Sequence, residues 1–208
     1  MYKYISNSRE HQDLVILSIL NKKRQGTYVE VGAYHYMRDS NTYLLEKSFD
    51  WRGVSFEKDQ HLCDEFNKNR TNPCVSGDAT RVDYEKIFQQ YSLPAHIDFL
   101  QLDIDPHQQT LKALKRIPFN QRTFSFITYE HDAYRGGEQE RIDSRNILQE
   151  LGYTLLLQDV MHAGVSFEDW YINKEYMPND AYKAFQGNNI NMNLRNLTQQ
   201  HIDLFKSI

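Results

Sequence analysis

Sulfur, clustered positive charge and long apolar runs are what this 208-residue chain has least of. Its two cysteines, Cys63 and Cys74, make neither a disulfide framework nor a zinc site. Reduced thiols are the expectation. The net charge is −4, and the one basic run is Lys22-Lys23-Arg24. A nucleic-acid partner, which needs clustered Lys and Arg, is therefore not expected. The run falls at an expected helix end, where it complements the helix dipole. No stretch reaches the ~20 apolar residues of a membrane span, and MYKYISNSREHQD has no apolar signal core. A soluble, cytoplasmic protein without a membrane partner is the expectation. Internal repeats are also absent.

What is present is enough for one full core: 40% apolar and 13% aromatic residues, including 14 Tyr and 11 Phe. Residues 1–177 read as one domain. Residues 178–208, with their run GNNINMNLRNLTQQ, read as a lid, an interface arm or a tail, and the sequence does not choose among them. Oligomeric state is not readable, a homodimer being one option.

Ser8 is expected to cap a helix running to about Arg24, with Gly26 ending it. The strand Tyr28-Val29-Glu30-Val31 then runs into Gly32-Ala33, and Ser40-Asn41 opens a helix to Ser48. Further strands are expected at Val54–Phe56, Cys74-Val75, Ile97–Asp103 and Phe124–Tyr129. Helices are expected between them at 59–69, 83–91 and 107–116, and after them at 138–151. Tyr153–Leu157 and Phe167–Ile172 lack an intervening helix, so they should pair antiparallel. The pattern predicts an α/β fold: a doubly wound, mostly parallel, Rossmann-like sheet with one antiparallel strand near the C-terminal end.

In such sheets the ligand lies beyond the carboxyl ends of the strands. All of the first five strands end in acid: Glu30, Glu57, Asp78, Asp103 with Asp105, and Glu130 with Asp132. Strand, glycine turn and helix start let backbone approach a nucleotide-like ligand closely. One glycine is a poor phosphate cradle, so a phosphate-free ligand, S-adenosylmethionine, fits better than NAD or ATP. Glu30 would fix a charged part of it. Glu57 would take its ribose hydroxyls, and Asp78 with Ala79 would meet the adenine edge.

Asp103, Asp105, Glu130 and Asp132, with His107 and His131 nearby, suit an oxygen-rich Mg²⁺ or Mn²⁺ site. Such an ion would hold a substrate hydroxyl for His107 or His131 to deprotonate, with Asp103 in the catalytic set. The same residues also read as a helix cap at Asp105, a surface His107 and a backbone-bonded Glu130. Both readings stay open.

The blocks VEVGAY, SNTYLLEKSFDWRGVSFE, IDFLQLDID, FITYEHD, ILQELGY and DWYIN resemble the FkbM-type branch of S-adenosylmethionine-dependent methyltransferases over about 26–173. The resemblance implies a class I methyltransferase fold with cofactor at Glu30, Gly32, Glu57 and Asp78. It adds Ala33, Tyr34, Ser40, Asn41 and Asp103 as further residues lining the cofactor. It implies O-methylation of a sugar hydroxyl or another small acceptor. Two departures stand out. The bulky His35–Asp39 loop replaces the family's second glycine, and Asp103-Ile104-Asp105-Pro106 replaces Asp-x-Glu-Gly. Two rival readings remain: an Asp-x-Asp glycosyltransferase using a nucleotide sugar, and a non-catalytic binding module on the same fold.

Overall fold

The computed structural model describes residues 5–188, 203 and 205–208. The Asn/Gln-rich run at 189–202 lies outside the described residues. Seven strands, β1 (Thr27–Val31), β2 (Arg52–Glu57), β3 (Cys74–Ser76), β4 (His96–Leu102), β5 (Thr123–Glu130), β6 (Thr154–His162) and β7 (Val165–Ile172), form one mixed sheet. The two-residue β8 (Gly187–Asn188) joins its edge, giving the order β3-β2-β1-β4-β5-β7-β6-β8. β1 through β5 pair in parallel, while β7 runs antiparallel to both β5 and β6. The reversed strand and the expected hairpin are both present.

Helices α1 (Gln12–Ile19) and α2 (Tyr43–Phe49) share a hydrophobic cluster with Tyr28, Phe99, Phe126 and Trp170 on one sheet face. On the other, residues of α4 (Tyr84–Gln90), α5 (His107–Leu114) and α6 (Glu138–Glu150) pack with Val29, Val54, Leu100 and Ile127. Period-two alternation along each strand feeds the two clusters. Helix α3 (Gln60–Asn69) is capped by Asp59, which accepts from the His61 and Leu62 amides.

The first helix is shorter than its sequence suggests. It starts at Gln12 behind a left-handed His11, because Ser8 and Asp13 tie the preceding arm into a knot of side-chain bonds. It ends at Ile19, and Asn21, Lys22 and Gln25 then turn with positive φ. The basic run therefore sits in this turn rather than on the helix. Lys23 reaches Asp98 at 2.7 Å and Arg24 reaches Asp50 at 2.6 Å, so the run neutralises acids instead of complementing a dipole.

Phe185, Phe205 and Ile208 join the α1 cluster, Phe205 edge-on to His11 and stacked on Phe185. Both cysteines are free and buried. Among the described residues no helix is long and apolar enough to cross a membrane.

Candidate functional site

A cavity of about 760 Å³ opens over the carboxyl ends of the parallel strands. Its glycine loop is fixed by close backbone approach. Gly32 has φ +90°, and a Cβ there would lie 1.6 Å from the Asp103 carbonyl oxygen. Only glycine satisfies both demands. The amides of Gly32 and Ala33 both donate to the Phe56 carbonyl at 3.0 Å, pinning the loop to the end of β2.

Glu57 completes this pinning. One carboxylate oxygen accepts from the Tyr34 amide at 2.8 Å and the other from the Asp59 amide at 2.9 Å. Lone pairs remain on both oxygens for a ligand. Asp78 accepts from Thr80 through amide and hydroxyl, which holds its carboxyl below the usual range. Glu30 is buried and accepts from Thr42 at 2.9 Å and Ser55 at 2.7 Å. Burial nevertheless raises its pKa. Beneath the loop Arg70, its side chain fully buried, donates to Glu46, the Tyr36 carbonyl, Thr42 and the Tyr28 hydroxyl.

At the other end of the cavity the acids crowd. Asp103 follows β4 and Glu130 ends β5, and their carboxyls share a hydrogen bond. Burial pushes Asp103 up to about 6, and burial with the neighbouring Asp103 charge raises Glu130 well above the ordinary range. Such a pair holds one proton between two carboxyls. Glu168 on β7 stands in register with Glu130. It accepts from Gln12 at 3.0 Å and from the Trp170 indole, and burial pushes it up to about 8.

Of the expected cofactor residues, Glu30, Gly32, Ala33, Tyr34, Asn41, Glu57, Asp78, Ala79 and Asp103 all border this cavity. Ser40 does not. Its hydroxyl is buried and accepts from the Thr42 and Tyr43 amides at the start of α2.

The expected metal set is not gathered. Asp103, Asp105 and Glu130 border the cavity, but the Asp105 side chain is 80% exposed and turned to Arg135 at 3.4 Å. Asp132 is buried, lies off the cavity and faces Arg135 at 3.6 Å. Both are drawn to that guanidinium rather than to Asp103. Among the described residues one set of three metal-ligating side chains lies within 4.8 Å: His131, Asp159 and Asp169. Arg141 and Arg145 already neutralise it, bonding Asp159 at 2.8 and 2.9 Å and Asp169 at 2.7 Å.

The two histidines expected as bases also lie off the cavity. His131 is fully buried beside Asp159 and Asp169, with Nδ1 accepting from the Ala133 amide. His107 is not on the surface either. It packs at the start of α5, 3.6 Å from Glu140 of α6. His107 thus faces α6, and His131, one residue past β5, faces acids of β6 and β7.

Sequence reasoning missed Arg9, Gln12, Gln101 and Glu168, all of which border the cavity. Gln101 carried a signal, a polar residue inside the apolar run Ile97–Leu102. Glu168 carried none until its pairing with Glu130 was known.

No family model and no curated protein match this chain. Solved structures do. One is an rRNA methylase from Streptococcus thermophilus, 9% identical, covering 82% of this chain and 99% of its own, with TM-score 0.50. Another is a candidate O-methyltransferase from Klebsiella pneumoniae, 14% identical, with 82% of each chain covered and TM-score 0.53. A third is Aeropyrum pernix fibrillarin with natively bound S-adenosyl-L-methionine, 11% identical, covering 77% and 76%, with TM-score 0.50. At these identities the likeness is one of fold, and the fold is the Rossmann-like one of class I methyltransferases.

Proposed function

We propose that this chain transfers a methyl group from S-adenosylmethionine to an acceptor bound over the ends of β4, β5 and β7. The carrying observation is the glycine loop. Gly32 is pressed onto Asp103, and Glu57 clasps the Tyr34 and Asp59 amides beside a cavity large enough for a nucleoside and an acceptor. Glu57 would take the ribose hydroxyls, Asp78 and Ala79 the adenine edge, and Glu30, Asn41 and Asp103 the methionine end. Bound there, the sulfonium supplies a reactive methyl donor, so the protein's task is positioning and water exclusion.

The structures of similar fold include an rRNA methylase and a candidate O-methyltransferase, and fibrillarin carries the methyl donor itself. A net charge of −4 therefore does not exclude a nucleic-acid acceptor beside the small-molecule or saccharide one. The FkbM-type resemblance is a narrower branch of the same reading and rests on the sequence blocks quoted above. O-methylation assisted by a metal and a histidine base has less support, since neither histidine borders the cavity and the four acids are not gathered.

Thermal melting with S-adenosylhomocysteine, with EDTA and with added Mg²⁺ or Mn²⁺, tests the reading. At ~100 times its dissociation constant the nucleoside should stabilise the protein by about 2.7 kcal/mol. A metal-dependent shift with a sugar nucleotide in its place would favour a glycosyltransferase. No shift in any condition would favour a binding module.

A further inference from the structure

The cavity wall below β4, β5 and β7 is built of acceptors with too little to accept. Gln101, 3% exposed, borders the cavity with Oε1 unpartnered, and Asn41, 8% exposed, does so with Oδ1 unpartnered. Two residues beyond Gln101, on the same sheet face, Asp103 meets Glu130, and Glu168 stands next on β7. Three carboxyl groups on three adjacent strands, with two bare amide oxygens, outnumber the donors that reach them, which are the Gln12 amide and the Trp170 indole on Glu168. Like groups set opposite each other across strands are unfavourable unless a cation or donor comes between them. Of the cations bordering the cavity, Arg9 faces Asp39 at 3.6 Å, Arg81 faces Asp78 at 3.7 Å and Arg135 faces Asp105 at 3.4 Å, while Lys58 and Lys112 also border it.

We propose that the methyl acceptor is a protonated aliphatic amine whose ammonium group lies against Glu130 and Glu168, next to the cofactor's methionine end at Asp103. This inference rests on the methyltransferase reading and narrows its substrate. An ammonium brings three N–H donors and one positive charge to a wall in which acceptors and acids predominate. A hydroxyl brings one donor and no charge, and an anionic acceptor would be repelled. The chemistry also fits. An alkylammonium gives up its proton near pH ~10, whereas a water-like hydroxyl does so near ~16. A carboxylate of the wall takes one proton, and the freed nitrogen lone pair forms the N–CH₃ bond as the donor's S–CH₃ bond breaks. The S–C electron pair stays on sulfur, so the products are a methylated ammonium, the neutral thioether and one proton passed to solvent.

The test is calorimetry on the full-length protein. S-adenosylhomocysteine is added first. Matched probes follow on the loaded protein: putrescine against butane-1,4-diol, and glucosamine against glucose. The amine of each pair should bind at least tenfold more tightly than the alcohol. Glu130→Gln should weaken amine binding about tenfold while S-adenosylhomocysteine binds as before, which also shows that the variant is folded. Alcohols that match or exceed the amines, or amines that fail to bind the loaded wild-type protein, would overturn the inference. Failure of S-adenosylhomocysteine itself to bind would instead remove the methyltransferase reading on which it rests.

Discussion

Gly32 and Glu168 show how differently single residues can be constrained. At Gly32 the constraint is space: a φ of +90° and a Cβ position 1.6 Å from a carbonyl oxygen leave room for hydrogen alone. Gly32→Ala should cost at least about 3 kcal/mol and abolish the S-adenosylhomocysteine shift. Urea unfolding with and without ligand would measure both. At Glu168 the constraint is charge. Its folded pKa of about 8 stands above the ordinary 4.5, so the native state keeps a proton that the unfolded chain gives up. The group's contribution to stability is thus full below pH 4.5 and declines as pH rises to 8. Glu168→Gln retains an oxygen for Gln12 and Trp170 but cannot ionise. Melting curves at pH 5 and pH 8 should show the variant losing less stability than wild type over that interval, and melting several degrees higher at pH 8. Parallel pH slopes in the two proteins would count against a protonated Glu168.

At the scale of elements, the glycine loop, α2 and the end of α3 meet on one guanidinium. Arg70 spans Glu46, Tyr36, Thr42 and Tyr28 with its side chain fully buried. Arg70→Met would leave the Glu46 carboxylate only Lys47 and the Thr71 and Asn72 N–H groups, and should cost about 1.5–3 kcal/mol. Adding Glu46→Gln should return part of that loss, and denaturant midpoints of the single and double variants would reveal the coupling. This is also where the sequence was most and least legible. Period-two runs and turn residues located the strands, and the missing helix before Phe167 revealed the reversed one. The acids at the strand ends were legible because strand direction alone puts them at one rim. The histidines were not. His107 and His131 follow acids in the chain, but side-chain direction comes from helix phase and strand pleat, which turn His107 to Glu140 and His131 to Asp159 and Asp169. Arg70 was equally hidden, since nothing local to Asn69-Arg70-Thr71 distinguishes a buried arginine from a solvated one.

For the molecule as a whole, the cavity wall and the core depend on distant parts of the chain. Gln12 reaches the cavity from α1, and α1 packs against Phe185, Phe205 and Ile208. Phe205→Ala would open a void beneath α1 and should cost about 3 kcal/mol. It should weaken S-adenosylhomocysteine binding only modestly, because the glycine loop and Glu57 hang on β1 and β2. A loss of binding as large as that of Gly32→Ala, judged by calorimetry, would show that α1 and the loop move as one body.

That same packing has a meaning for synthesis on the ribosome. α1 is made well before the side chains at positions 185, 205 and 208 that help cover its apolar face. Until Phe205 has cleared the exit tunnel, α1 has only part of its cover and Gln12 has no settled place on the cavity wall. A nascent chain can therefore assemble the nucleoside end of its pocket early, whereas the acidic end waits for residues 185–208.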